Sequence, residues 1–522
     1  MGKIIEKTIN TFHGGIVNDP RDPRENTARI ITNFDAVTNT WKMSPYRDSE
    51  DGNSAASTDK MENFAIALRT GTTYSLYALG VVSGGGLAEI SYKNLTTGSA
   101  NDLDDADWTA TANNADGSGS TNFNLFVYYQ NQDLIYGASA GTRIWTYDPG
   151  GGGFTATEQA LTYTNIAQGL VHSQDDILYV PYDNKIASNN AGSWSTTAAT
   201  IPTHFYITSI AEYGNFLAIA AAPLSGIGNS RVFLWNRDDS VSTFSESIDW
   251  GEGVIQVLDV IDGLLVGISQ VGGTTIAGPV FGSGFFEDRV IFRFYDQAKG
   301  AIQFRELIGG ANTTRLHIRK QKIDNQLFFL MSIELNGAVR AGLWSIGRHD
   351  VNSPLAVVHE RTPNNNTAWT TVSGDEVDGF IIVGDFTFIA NRDGGVNGLS
   401  KTNDSSSYTA TSIYESKIFN TKDTDAGAGS SLKKDLVGIT VTTEPLPTAG
   451  KVVLKYAVDE NIGTDTFTTI FTNTTDDSIS NSGITDLPKD YKEIQFRIES
   501  TGNAEITGLS FKEEVVGKRE YN

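Results

Sequence analysis

The sequence predicts an all-β protein: an irregular β-propeller of six to seven blades, followed by a C-terminal β-sandwich. Three observations carry that expectation. Gly supplies 53 of the 522 residues, and Thr, Asn, Ser and Asp crowd between short apolar runs, as many short strands joined by tight turns require. An apolar segment of similar grammar recurs along most of the chain. No stretch sustains the 3.6-residue apolar period of an amphipathic helix.

The recurring segments read "TYSLYALGV", "NQDLIYGAS", "QDDILYVPY", "YGNFLAIAAA", "IDGLLVGIS", "IDNQLFFLMS" and "VDGFIIVGD". Aligning Leu76, Leu134, Ile177, Phe216, Leu264, Leu327 and Phe380 gives steps of 58, 43, 39, 48, 63 and 53 residues. Each segment reads as the second strand of a unit. A third strand with an aromatic follows most of them, carrying Trp145, Trp235, Phe294 or Trp344, and polar segments such as "GSWSTTAAT" close several units. Units of this length holding about four strands suit propeller blades, because a lone blade cannot bury both of its faces. Stacked β-sandwiches are the alternative arrangement.

The expected division is an N-terminal arm with a ring-closing strand over 1–60, a propeller over 61–405 and a sandwich over 406–522. After Lys401 a polar joint, "KTNDSSSYTATS", gives way to cleaner alternation. In "YKEIQFRIES", Ile494, Phe496 and Ile498 are expected on one face, with Gln495, Arg497 and Glu499 on a wet one.

Composition narrows the chemistry. There is no cysteine, which excludes disulfides, zinc–thiolate centres and thiol nucleophiles. The formal net charge of -23 opposes a phosphate backbone and favours solubility. No apolar run reaches the length of a membrane span, and "MGKIIEKTINTF" is too short and polar for a signal-peptide core. Glu6 stands where a myristoylation signal needs Ser or Thr. No membrane anchor is expected.

Motifs for catalysis are sparse. The six histidines (13, 172, 204, 317, 349 and 359) form no metal-spaced cluster. The Gly-rich "VVSGGGLAE" and "FGSGFFED" lack the Lys-Ser/Thr of a phosphate loop and read as hairpin turns. "DLDDADW" and "DSEDGN" offer oxygen ligands without EF-hand spacing and read as solvated loops. Some propellers hydrolyse glycosides with axial carboxylates, but no acid can be singled out here. Trp194 is a candidate for sugar stacking. No cofactor, metal site or catalytic residue is assigned.

The opening stretch "INTFHGGIVNDPRDPRENTARIITNFDAVTNTWKMSPYRD" is unusual. Gly14 and Gly15 permit backbone conformations closed to other residues. Pro20 and Pro23 hold the chain extended and keep Asp19 and Asp22 out of helix. Arg21 and Arg24, in an anionic molecule, are placed to pair with carboxylates on the same or a neighbouring subunit. "ARIITNFD" is expected to supply a strand that closes the propeller.

This stretch resembles the N-terminus of tail nozzle and hub proteins of short-tailed bacteriophages and related virion β-propeller proteins. Those proteins open with a short strand, a Gly-Gly-Ile step, a run with Asp, Pro and Arg, an N-x-D strand, and a basic residue before a Pro. The matching residues are Gly14, Gly15, Ile16, Asp19, Arg21, Arg24, Asn33, Asp35, Lys42 and Pro45. The likeness covers about forty residues, and the chain is shorter than many nozzle proteins.

The resemblance implies a non-enzymatic virion component. Such a subunit forms a homo-oligomeric ring, expected to be a hexamer, that joins other tail or connector proteins in the tail. DNA passes through without specific binding, since like charges keep the duplex sliding. The assembly-interface candidates are Gly14, Gly15, Asp19, Arg21, Asp22, Arg24, Asn33 and Asp35. Deleting residues 1–25 is expected to leave a soluble propeller that does not assemble. The alternative function is a carbohydrate-binding or glycan-cleaving propeller that recognises a host surface; an extracellular adhesion module is a third.

Overall fold

The structure, a computed structural model, describes residues 4–10, 12, 14–16, 27–35, 43–45, 49–51, 60–81, 88–95, 103, 108–113, 121–139, 141–225, 228–240, 243–272, 288–310, 314–335, 338–348, 354–363, 376–393, 396–402, 411–419, 433–462, 466–483 and 485–516. These residues form an all-β protein of many small sheets, with no α-helix among them. The chain divides into two compact units. Unit 1 comprises 1–48, 344–361 and 403–522, and unit 2 comprises 49–343 and 362–402. Strand Ala338–Gly347 carries the chain from one unit into the other.

Unit 2 is built from short antiparallel sheets in chain order. The first holds Lys60–Thr70, Thr73–Val81, Ala88–Asn94 and Thr109–Asn113, and the second Thr121–Tyr129, Leu134–Ser139, Arg143–Asp148 and Gly153–Ala160. The third holds Leu170–Val171, Leu178–Tyr182, Lys185–Asn190 and Ser193–Thr200. Phe205–Tyr213, Phe216–Pro223, Ser230–Trp235 and Glu246–Gly251 make the fourth, and Val254–Ile261, Leu264–Val271, Asp288–Asp296 and Gly300–Gly309 the fifth. In unit 2 the sixth runs through Arg315–Ile323, Gln326–Leu335 and the start of Ala338–Gly347. The seventh joins Glu376–Val383, Phe386–Asp393 and Val396–Thr402 to Ser49–Asp51, from far earlier in the chain.

The turns explain the Asp-rich punctuation. Asp133, Asp183, Asp262 and Asp324 all have positive φ at hairpin turns, a conformation that short polar side chains tolerate by bonding nearby backbone. Asp183 illustrates this, its Oδ1 accepting from the amides of Thr164 and Asn165 at 2.9 and 2.8 Å.

Six of the seven aligned repeat points mark second strands, as expected. Phe380 does not: it lies in Glu376–Val383, the first strand of its sheet. Its apolar run is as continuous as that of a second strand because both positions are covered on two faces. "DSEDGN", expected to be a solvated loop, contains the strand Ser49–Asp51, which pairs with Val396–Thr402.

Apolar clusters join neighbouring sheets. Tyr77 and Leu79 of the first pack with Phe126 and Trp145 of the second; Tyr136 and Leu125 of the second pack with Leu178 and Val180 of the third. Ile186 meets Leu217 and Trp235 between the third and fourth, and Ala218 and Trp250 meet Leu258 and Leu265 between the fourth and fifth. Phe292 and Phe329 lie 6.2 Å apart between the fifth and sixth. Leu330 and Leu343 meet Phe380 and Ile389 between the sixth and seventh. Phe388 and Leu399 of the seventh then pack with Phe64 and Leu76 of the first. Each fully buried side chain of this size contributes roughly 1.5–3 kcal/mol.

Among the described residues, unit 1 has a two-stranded ladder of Phe34–Asp35 with Ser44–Pro45 and two larger sheets. One runs Ile4–Ile9, Ile506–Val516, Lys433–Thr443, Ser480–Gly483; the other contains Ala356–Arg361, Ala28–Thr32, Ser412–Ser416, Ile494–Thr501, Lys451–Val458, Thr468–Asn473. Phe496 of the second sheet and Phe511 of the first lie 4.9 Å apart, with Phe419 within 6.1 Å of both. Ala28–Thr32 pairs with Ser412–Ser416 in this unit, so "ARIIT" does not enter the repeat array as expected. Gln495, expected on a wet face, is fully buried and donates to the Ser416 carbonyl at 2.9 Å.

Close packing makes one small residue in unit 2 critical. Gly137 faces Trp145 across the second sheet, and a Cβ there would lie 2.1 Å from the indole ring. Gly137→Ala is expected to destabilise unit 2 by about 1–3 kcal/mol through overpacking, seen as a lower urea midpoint. An unchanged midpoint would mean that the indole shifts without cost.

Candidate functional site

The first strands of six of the seven unit 2 sheets share a distortion. Pairing with the second strand skips Glu62 in the first sheet, Thr208 in the fourth, Gln256 in the fifth and Asp378 in the seventh. Longer skips span 123–125 in the second sheet and 317–319 in the sixth. A bulge leaves a residue out of the ladder and re-aims its side chain and carbonyl. In place of the usual alternation, these strands therefore present polar side chains and unpaired carbonyls.

Arg319, in the sixth sheet, uses those carbonyls. It is 5% exposed. Its Nε donates to the Glu62 carbonyl at 3.3 Å, and its Nη1 to the Asn124 carbonyl at 2.9 Å and Gln168 Oε1 at 3.2 Å. One side chain thus bonds the first and second sheets and Gln168, two residues ahead of the third. Gln168 is itself fixed, donating to the Phe126 carbonyl at 2.9 Å and accepting from Asn63 at 3.3 Å. Burial pulls the guanidinium down to about 10, while the carboxylates of Glu62 and Asp378 oppose that shift. The group stays charged at neutral pH.

The next two residues complete the pattern. Lys320 Nζ donates to the Ile210 carbonyl of the fourth sheet at 2.8 Å and to the Leu258 carbonyl of the fifth, and pairs with Asp259 Oδ2 at 3.0 Å. Gln321 exchanges two 2.8 Å bonds with the backbone of Ile382 in the seventh. Arg319, Lys320 and Gln321 therefore bond to the first, second, fourth, fifth and seventh sheets, and to Gln168 just ahead of the third. Chemically this is a lock of charge-assisted bonds in a dry setting, where such bonds are strong. No sequence motif marks it. The available signal was "RKQK" at a first-strand position where the fourth and fifth repeats read "SIAE" and "VLDV".

A second polar cluster lies at the turns of the third and fourth sheets. His172 is fully buried, and its Nδ1 accepts from Arg237 Nη1 at 3.0 Å and the Gln174 amide at 3.3 Å. Asp175 and Glu212 each place an oxygen 3.8 Å from that nitrogen. An accepting Nδ1 puts the proton of a neutral ring on Nε2. Burial holds the imidazole below its ordinary pKa, with Arg237 acting in the same direction and Glu212 and Asp175 against it.

The sequence-named interface residues divide in two. Gly14, Gly15, Asn33 and Asp35 are described, whereas Asp19, Arg21, Asp22 and Arg24 lie outside the described residues. Gly14 and Gly15 are buried in unit 1. Gly15 has φ +67, and a Cβ on it would meet the Val357 nitrogen at 2.7 Å, so this position requires glycine. Its carbonyl accepts from Ala28, and the neighbouring Ile16 amide donates to Val357, at 3.0 and 2.9 Å. Asn33 has φ 60 and donates to the Thr411 carbonyl at 3.1 Å. Asp35 pairs with Ser44 in a two-residue ladder.

Arg29, which the sequence analysis did not single out, forms a buried pair with Glu415 at 3.3 Å, and Arg497 donates to the same carboxylate at 2.6 Å. Trp194, a candidate for sugar stacking, is half-buried against Tyr136, with ring centroids 5.9 Å apart. Among the described residues no group of three or more His, Asp or Glu is arranged to hold a metal.

No family model matches the chain, and no curated protein matches it. Among solved structures, it is similar to the extracellular domain of a B. thetaiotaomicron protein, described in one structure as a hybrid two component system and in another as a one component system. In each case identity is 12% and the TM-score 0.36, over 77% of this chain and 44% of the other, so this chain spans less than half the length of those neighbours.

Two outcomes follow from the site. Arg319→Met removes the donors but keeps much of the stem volume, leaving buried acceptors unpaired. The expected loss of stability is about 3–5 kcal/mol, measured by urea unfolding; a loss under ~1 kcal/mol would show that the lock is dispensable. His172 binds protons more weakly in the fold than in the unfolded chain. Its contribution is complete above the ordinary histidine pKa of about 6.5 and fades as pH falls through the lowered folded value. Stability should therefore decline below pH ~6.5, and His172→Gln should flatten that decline; identical pH profiles would contradict the assignment.

Proposed function

We propose that the chain is a structural ring subunit of a bacteriophage tail, a nozzle- or hub-like component of the virion, and not an enzyme. In this reading unit 2 is a seven-bladed β-propeller, its seventh blade completed by Ser49–Asp51, and unit 1 is a β-sandwich. The propeller reading is supported by the succession of core clusters, in which the seventh sheet packs back on the first. The sandwich reading is supported by the Phe419, Phe496 and Phe511 trio between two sheets.

The observation that carries the functional reading is the Arg319–Lys320–Gln321 lock. A propeller hydrolase needs carboxylates open to substrate near its axis. Here a buried guanidinium bonds carbonyls of the first and second sheets. Such a centre provides rigidity. The DNA path in this reading is the lumen of a homo-oligomeric ring, expected to be a hexamer, assembled with other tail or connector proteins. The net charge of -23 suits a surface over which DNA slides without specific binding.

Arg21 and Arg24 remain the proposed cations of the ring contact. Deleting residues 1–25 would also remove Ile4–Ile9, which pairs with Ile506–Val516 inside unit 1, so point substitutions isolate the contact better. The double substitution Arg21→Ala and Arg24→Ala is expected to leave a folded, soluble monomer that no longer forms rings. The readouts are sedimentation and negative-stain microscopy against the unsubstituted protein. An unsubstituted protein that stays monomeric at high concentration, both alone and with its tail neighbours, would contradict the reading.

A further inference from the structure

We infer that a cleft on the fourth sheet is a binding site for a carboxylate-bearing sugar, with Arg231 as the residue that receives the carboxylate. The cleft has a volume of about 940 Å³ and opens at the ends of strands Phe205–Tyr213, Phe216–Pro223, Ser230–Trp235 and Glu246–Gly251. That size is suited to a small ligand.

Register fixes what faces the cleft. Arg231 stands opposite Ala221 on one side and Asp249 on the other, and Phe233 opposite Ile219 and Ser247. Paired residues share a face, and so do residues two apart along a strand. Arg231, Asp249, Phe233 and Ser247 therefore lie together.

Arg231 is unusual in an acidic chain. Its described polar partner is the neutral Ser247 Oγ, at 3.1 Å from Nη1. Asp249 faces it across the ladder, yet its Oδ1 accepts from Asn229 Nδ2 and the Gly251 amide, each at 2.9 Å, and its Oδ2 from Asn229 at 3.2 Å. The guanidinium thus keeps free donors in a fork that matches a carboxylate. Asp249 beside it disfavours a dianion such as phosphate, and it can accept hydrogen bonds from hydroxyl groups. One cation and one hydroxyl acceptor across a cleft fit a sugar acid.

The remaining wall suits the carbon face of a pyranose. His204 is exposed and its ring lies 4.4 Å from that of Phe205, tilted by 44°. Leu224 is 50% exposed at the same cleft. This site does not rest on the ring assignment: a ring that ignores saccharides would leave that reading intact.

The test titrates the full chain with 3′-sialyllactose and digalacturonate, with lactose and inorganic phosphate as controls, by calorimetry and saturation-transfer NMR. Either acidic saccharide is expected to bind with a dissociation constant of about 1 mM or tighter. Lactose and phosphate should bind roughly tenfold more weakly or not at all, and Arg231→Met should weaken the acidic saccharide by roughly tenfold or more. His204→Ala provides a second variant and should also weaken it, since it removes the exposed plate. Absence of binding by both acidic saccharides, equal binding of lactose, tighter binding of phosphate, or an unaffected Arg231→Met protein would each overturn the inference.

Discussion

A guanidinium withdrawn from water must find fixed acceptors, because its desolvation costs several kcal/mol even after the protein relaxes. Arg319 meets that demand with carbonyls that bulges have freed from their ladders, at Glu62 and Asn124. Regular strands would have used those carbonyls in pairing. Cation and bulges thus depend on each other: without the arginine the carbonyls are buried and unpaired, and without the bulges the arginine has no partners.

This dependence adds something the apolar interfaces lack. Packing of Trp145, Trp235 and Trp250 between sheets is strong but non-directional, and it tolerates small slips of one sheet past the next. Hydrogen bonds from three consecutive side chains to five other sheets fix the register of those first strands. A building block under load in an assembly benefits from such rigidity, which is why the lock and the proposed tail role belong together. Unit 1 uses the same device on a smaller scale, where Glu415 accepts from Arg29 and Arg497.

The all-β class was legible because strand length, turn chemistry and apolar grammar are local properties. Leu134, Phe216 and Leu264 could be aligned as strand starts for that reason. What escaped was non-local. Phe380 sits in a first strand whose apolar run looks like that of a second strand, since both are covered on two faces. Ser49–Asp51 looked like a solvated acidic loop because its partner strand, Val396–Thr402, lies some 350 residues away. Arg319 carries no motif; its meaning comes from carbonyls on two other sheets and from the Gln168 side chain. Gly15 was legible as a position needing glycine, but the strand it packs against, at Val357, was not.

The most direct test is native-state hydrogen exchange read strand by strand, comparing the unsubstituted protein with Arg319→Met. If the lock unites unit 2, the amides of the first strands around Asn63, Phe126 and Ile318 exchange through one shared opening. The substitution then lowers their protection together, on the first, second and sixth sheets alike. Protection lost on the sixth sheet alone, with the first and second unchanged, would contradict the account.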